Sequence, residues 1–129
     1  MQKLQLGLVA TVKETVLHTN TASALGSGGL DVYATPAMVA LMEQAAVSAI
    51  RPALAEGSGS VGTLLNIRHE RATLPGSRVS ASAELVEIDG RRLVFKVRAE
   101  DESGLVGSGL HERFIITNDK FLAKLHKAR

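Results

Sequence analysis

The sequence predicts an α+β fold: an antiparallel five-stranded sheet wrapped around one long central helix, with a short helix at the C-terminus. Three observations carry this. One helix-length segment, residues 36–54, is apolar on nearly every side. Segments that alternate apolar and polar residues lie before it and after it, at strand spacing. The later segments are joined by turn chemistry, Asp89-Gly90 above all. A helix this apolar, inserted after the first strand, is expected to be enclosed by the sheet.

Residues 4–16 read as the first strand, with Leu4, Leu6, Leu8, Ala10 and Val12 on alternate positions. Residues 18–34, HTNTASALGSGGLDVYA, are rich in Gly, Ser and Thr and have no clean period. They predict a long loop with at most one helical turn, of a length often used for functional lids. Thr35-Pro36 marks the start of the long helix, with Thr35 as N-cap and Pro36 as the first helical residue. The helix is expected to run from Pro36 to Leu54, on a composition of Ala, Met, Leu, Gln and Glu. Gln44, Ser48 and Arg51 form a narrow polar stripe at i, i+4, i+7, and Glu43 is the one other polar residue. Gly57-Ser58-Gly59 reads as a flexible connection.

Four strands follow. In the first of them Val61, Thr63, Leu65, Ile67 and His69 are expected to share one face. The next runs from Arg78 to Ile88. In the one after it, Leu93, Phe95, Val97 and Ala99 oppose Arg92, Lys96, Arg98 and Glu100. Ser103-Gly104 marks a turn, and the last strand runs from Leu105 to Thr117. Residues 119–127 read as a short amphipathic helix with Phe121, Leu122 and Leu125 on one side.

At 129 residues the chain fits a single domain, 1–129. Hydrophobic residues are 45% and charged residues 22%, as in ordinary globular proteins, but aromatics are only 3%, so the core must be aliphatic. The absence of Cys excludes a disulfide scaffold, a thiolate zinc site and a Cys nucleophile, and it suits the cytoplasm. The net charge of +2 is mild. Basic residues gather only at Arg91-Arg92 and along Lys120, Lys124, Lys127 and Arg129. With so few rings to stack bases, no nucleic-acid partner is expected. No targeting or membrane segment is expected either, since the most apolar stretch is short and is broken by Glu43 and Gln44. His18, His69, His111 and His126 are scattered without HxH or HExxH spacing, so no metal site is expected. Phosphate-binding, dinucleotide and serine-hydrolase motifs are missing, which leaves those chemistries unsupported.

Glu43 is the most informative residue. It lies about 100° round the helix from the centre of the polar stripe, with Val39, Val47, Ala40 and Ala46 as neighbours. Either it reaches solvent at the stripe's edge, or it is a carboxylate held at an interior site for chemistry. His69 ends an apolar strand face, where it is a hydrogen-bonded core-edge residue or an acid/base partner for Glu43. Thr35 is explained as an N-cap, but a hydroxyl at a helix mouth can also donate to a carbonyl or oxyanion. Gly62 within a strand pattern points to a bulge or to a ligand's close approach, and Gly107-Ser108-Gly109 reads the same way. By alternation His111 and Arg113 share a face, and solvated strand positions account for them.

Several blocks in order also resemble a known family. TPAMVALMEQAAVSAIRPAL, GSVGTLLNIRHERATLPG, ELVEIDGRRLVFKVRAED and GSGLHERFII are similar to the fluoroacetyl-CoA thioesterase-like family of hotdog proteins, over about Ala34 to Lys127. The resemblance implies a hotdog fold, a homodimer, and hydrolysis of a small acyl-CoA with no cofactor beyond the coenzyme A of the substrate. It implies Thr35, Glu43 and His69 as the catalytic set, and Gly62 and Arg113 as substrate-contacting residues. The family's lid looks rich in aromatic residues. Here ALGSGGLDVY has Gly26 and Gly29 where rings are expected, and only Tyr33 remains to contact substrate. A lid without rings implies weaker selection of a fluorinated acyl group by shape. Two rival readings use the same residues: a hotdog acyl-CoA hydratase or dehydratase, and a non-catalytic acyl-CoA-binding protein.

Overall fold

The computed structural model describes residues 2–128, so Met1 and Arg129 of the expected domain lie outside the described residues. Strands β1 (Val9–Thr15), β2 (Ser58–His69), β3 (Arg78–Asp89), β4 (Arg92–Asp101) and β5 (Gly104–Thr117) form one antiparallel sheet in the order β1-β3-β4-β5-β2. Helix α1 (Ala22–Leu25) lies in the long loop, α2 (Thr35–Ile50) is the central helix, and α3 (Asn118–Lys127) follows β5. The fold is the expected hotdog arrangement, with α2 enclosed by the curled sheet.

The core is the apolar side of β3 and β4 pressed on α2. Val79, Ala81, Ala83 and Leu85 alternate along β3, and Leu93, Phe95, Val97 and Ala99 along β4, and all are fully buried. They pair across the ladder, Ala81 with Ala99, Ala83 with Val97, Leu85 with Phe95. From α2, Met38, Leu41, Met42, Ala45, Ala46 and Ile50 fill the other side. Small residues on both surfaces let helix and sheet approach closely. The exposed stripe of Gln44 and Arg51 lies where the periodicity placed it.

Several boundaries differ from the sequence reading, each for a local reason. β1 begins at Val9, because Gly7 turns the chain at φ 92° just before it. α2 ends at Ile50 and tightens into a 3₁₀ turn over Arg51–Ala53, because Pro52 cannot continue an α-helix. Thr35 is not the N-cap: Ala34 caps the helix without a side-chain bond, and Thr35 is its first residue. The expected single face of β2 is also split. A bulge between Gly62 and Leu64 shifts the register, so that Val61 pairs with Phe114 and Gly62 with Arg113, whereas Leu65, Ile67 and His69 pair with His111, Gly109 and Gly107. Directly paired residues share a face. Gly62, Leu65, Ile67 and His69 therefore face the helix side, while Val61 and Thr63 face away.

The loop over residues 18–34 is tied down. It contains a 3₁₀ turn at His18–Asn20 and the one-turn α1, which ends at Gly26 with φ 73°. Its two limbs are joined by Ala22 N–H to Val32 O, Ser23 N–H to Leu30 O and Ala34 N–H to Asn20 O. Tyr33 N–H donates to Thr73 O, which fastens the loop to the rest of the fold.

Candidate active site

Two polar clusters flank α2. The first joins its N-terminus to the end of β2. Thr35 Oγ1 lies 2.7 Å from His69 Nδ1. Thr35 leads the helix, and His69 is the last residue of the strand, so the pair bridges elements distant in sequence. His69 Nε2 is buried and has no hydrogen-bond partner among the described residues. Burial holds the His69 pKa below the ordinary histidine range, so the ring is neutral at pH 7. Beside this pair is a cavity of about 230 Å³ lined by Ala22, Ser27, Val32, Tyr33, Thr35 and His69 among others.

The second cluster lies two helical turns further along. Glu43 Oε2 accepts a bond from Arg113 Nη1 at 3.1 Å and sits 3.8 Å from His111 Nε2. Arg113 is 6% exposed and His111 fully buried. The expectation of solvated positions for both is therefore wrong. Their strand pairs with Leu93 and Phe95 of β4, which puts them on the core face. Arg113 is anchored by Ser60 as well, donating from Nε to Ser60 Oγ at 2.8 Å and from Nη2 to Ser60 O at 2.9 Å. Gly62 completes the cluster. A Cβ there would stand 2.6 Å from Glu43 Oε2, 3.1 Å from His111 Cε1 and 3.3 Å from Arg113 Nη1. The bulge turns this residue inward, and its missing side chain lets the carboxylate and the guanidinium lie directly against the strand backbone.

Thr35 and His69 are thus brought together, and so are Glu43, Gly62 and Arg113. Glu43 does not meet His69 within the chain. Eight residues of helix separate it from Thr35, about 12 Å along the axis at 1.5 Å per residue. Tyr33 is buried at 1% exposure, and its hydroxyl donates to the Glu14 carboxylate of β1. Burial first, and the Glu14 carboxylate second, raise the Tyr33 pKa far above the usual phenol value. Sequence reasoning missed His111 and Ser60 as members of the second cluster. Alternation paired His111 with Arg113 but could not say which face was buried, because neither residue is apolar.

Glu43 is 37% exposed at its side chain, next to a guanidinium that burial has stripped of water. A carboxylate held this way is oriented and reachable, which suits attack on an electrophilic carbon or activation of water. The Thr–His pair at a helix N-terminus suits a carbonyl oxygen that gains charge.

The architecture is shared widely. A thioesterase-superfamily protein of Thermus thermophilus superposes with a TM-score of 0.90 at 32% identity, over 99% of this chain and 95% of that one. A hotdog-like protein of Thermanaerovibrio acidaminovorans matches in fold at 24% identity, with a TM-score of 0.86 over 95% and 91% of the two chains. The class is that of hotdog-fold thioesterases. A structure of the fluoroacetyl-CoA thioesterase FlK matches with a TM-score of 0.91 at 37% identity, over 99% of each chain. The fluoroacetyl-CoA thioesterase of Streptantibioticus cattleyicolor is 43% identical over 114 residues, 88% of this chain and 82% of that protein. The family described as fluoroacetyl-CoA-specific thioesterase matches residues 16–119. The chain belongs to this family and is a thioester hydrolase.

Proposed function

We propose that the chain hydrolyses a small acyl-CoA thioester to the free acid and coenzyme A, as a cytoplasmic homodimer that needs no further cofactor. The observation that carries the reading is the Glu43 carboxylate held by buried Arg113 and fronted by Gly62. The acyl group would lie in the cavity of about 510 Å³ that Glu43 and Arg113 line together with Ala40 and Val47, with Arg113 against its polar end. Glu43 would act as nucleophile or as general base. In the first case its oxygen bonds to the acyl carbon, the C–S bond breaks, and water then cleaves the mixed anhydride. In the second, water attacks while Glu43 takes its proton. In both the thiolate leaves and is protonated, and His69 is the group suited to move that proton. Thr35 and the backbone N–H groups at the start of α2 would hold the carbonyl oxygen.

The separation of the two clusters supports the dimer reading. A second copy packed antiparallel along α2 about a two-fold axis would set Thr35 and His69 of each chain against Glu43, Gly62 and Arg113 of the other. Three features support this reading. β2 is an edge strand, and Leu64 and Leu65 on it are 51% and 44% exposed. α2 packs mainly on β1 and β3 and only lightly on β4 and β2. His69 Nε2 lacks a hydrogen-bond partner among the described residues. For the nucleotide end of coenzyme A, Arg91, Lys120 and Lys124 line a cleft of about 570 Å³ whose walls include Phe114 and Phe121.

Tyr33 would contact substrate only through its ring at the rim of the Thr35–His69 cavity, since its hydroxyl is engaged by Glu14. Gly26 and Gly29 leave the loop above that cavity without rings, so small acyl groups besides fluoroacetyl would be accepted.

The test is release of free coenzyme A from acetyl-, fluoroacetyl-, propionyl- and butyryl-CoA. Glu43→Gln should lose far more than about tenfold in kcat/KM, roughly the contribution of a positioned acid/base. A smaller loss removes Glu43 from the chemistry. Single turnover in ¹⁸O-water separates the two routes, because label enters Glu43 only through the anhydride.

A further inference from the structure

We propose that His111 is a positioning residue: as a neutral ring protonated at Nδ1, it holds Arg113 in the orientation that keeps the Glu43 carboxylate facing Gly62. The inference rests on the hydrolase reading of Glu43 and adds to it a residue that touches no substrate.

The hydrogen-bond pattern dictates the tautomer. His111 Nδ1 lies 2.9 Å from the Leu64 carbonyl oxygen, which can only accept, so Nδ1 carries the hydrogen. The neutral ring then has a lone pair at Nε2, and Arg113 Nη1 donates to it at 3.1 Å. The same guanidinium nitrogen donates to Glu43 Oε2 at 3.1 Å. One nitrogen thus serves a reactive group and an inert one.

The distinction matters during turnover. When Glu43 forms an ester-like bond or takes a proton, it loses the charge that holds Arg113. The guanidinium then depends on Ser60 at Nε and Nη2 and on His111 at Nη1. Without His111, Nη1 would have no fixed partner at that stage, and a buried charged donor left unpaired is costly. The guanidinium would tilt about its Ser60 anchors, and the carboxylate would return to a displaced partner.

The surroundings keep the ring neutral. Glu43 faces it from α2, Arg113 from β5, the Leu64 carbonyl from β2, and the Phe95 ring from β4 at 6.2 Å between centroids. Glu112, next to it on β5, turns its carboxylate to Thr63 and Arg92 instead. Burial is the largest influence and lowers the pKa. The Arg113 charge adds to it, and the Leu64 carbonyl and the two carboxylates oppose it without prevailing. A proton on Nε2 would set two N–H groups against each other and break the bond to Arg113.

Two variants separate positioning from packing. His111→Asn offers an amide N–H to Leu64 but no acceptor at Arg113, whereas His111→Gln reaches Arg113 with a carbonyl oxygen. On acetyl-CoA, His111→Asn should lose about tenfold or more in kcat with KM changed less than about threefold. His111→Gln should recover most of that loss. Equal losses in the two variants, or a kcat for His111→Asn within about threefold of the parent, overturn the proposal. Nitrogen-15 NMR of the unmutated protein needs no variant to fold: a neutral Nδ1–H ring at pH 7 is expected, and an Nε2–H or cationic ring overturns it. Glu43→Gln assayed in parallel keeps the two readings apart. An active Glu43→Gln defeats the catalytic assignment of Glu43, and an inactive one beside a fully active His111→Asn defeats the positioning role alone.

Discussion

Thr35 Oγ1 lies 2.7 Å from His69 Nδ1, which ties the first residue of the central helix to the last residue of the edge strand. Thr35 has no capping duty, because its side chain is turned to His69 and not to the helix backbone. The hydroxyl is therefore free to serve chemistry at little cost to the helix.

Thr35→Ala should accordingly lower kcat/KM by about tenfold or more while leaving thermal stability close to the parent, against the typical ~1 kcal/mol loss for removing a true N-cap. Thr35→Ser, which keeps the hydroxyl, should recover most of the activity. Steady-state kinetics and thermal melts on the three proteins decide this. A large drop in melting temperature with unchanged kinetics would return Thr35 to a structural role.

If the site is assembled from two chains, two inactive variants should rescue each other. A mixed dimer of Thr35→Ala and Glu43→Gln contains one doubly damaged site and one intact site. Random exchange should restore about a quarter of parental activity, since half the dimers are mixed and each carries one good site. Mixing after brief denaturation and refolding, followed by an acetyl-CoA assay, measures this. No recovery in verified mixed dimers would mean that the clusters act within one chain.

Two glycines should respond differently to a methyl group. At Gly62 the nearest obstacle is the end of the flexible Glu43 side chain, 2.6 Å from the new Cβ. Gly62→Ala should fold with nearly parental stability and lose activity, as the carboxylate is pushed aside. At Gly109 the new Cβ would meet the Asn66 backbone oxygen at 2.0 Å. That atom belongs to the paired strand and cannot rotate away. Gly109→Ala should lose on the order of 3 kcal/mol in urea unfolding or fail to fold.

The pH dependence of stability has a definite sign. Burial lowers the pKa of both His69 and His111, so the unfolded chain binds their protons more readily than the folded one. Their contribution is complete above the unfolded histidine value of about 6.5 and is lost as pH falls from there toward the folded values. While the unfolded form is protonated and the folded form is not, each ring steepens the fall by about 1.4 kcal/mol per pH unit. Urea unfolding between pH 7 and 5 should therefore show falling stability, with a shallower slope in His111→Gln. An unchanged slope in that variant would mean that His111 does not titrate differently in the two states.

The order of elements was legible because each rests on a local period. β4 alternates cleanly but for Val94, and its alternate apolar residues Leu93, Phe95, Val97 and Ala99 are fully buried. Thr35-Pro36 located the helix start to within a residue. Less legible was anything decided by pairing. Thr63 looked like a continuation of its strand face, because alternation assumes an unbroken ladder and the bulge lies in the register with β5. His111 and Arg113 looked solvated, because burial of polar residues leaves no apolar signature. Glu43 and His69 looked like partners, because both were polar exceptions on apolar faces.

The sequence by itself determined the α+β class, the apolar central helix, the hairpin between β3 and β4, and the short list of residues with reactive side chains. Those follow from composition and from periods of 2 and 3.6, which each segment carries independently. Only the tertiary structure decided how that list divides. It put Thr35 with His69 and Glu43 with Gly62, His111 and Arg113, because α2 holds Thr35 and Glu43 about 12 Å apart along its axis and a different part of the sheet meets each of them.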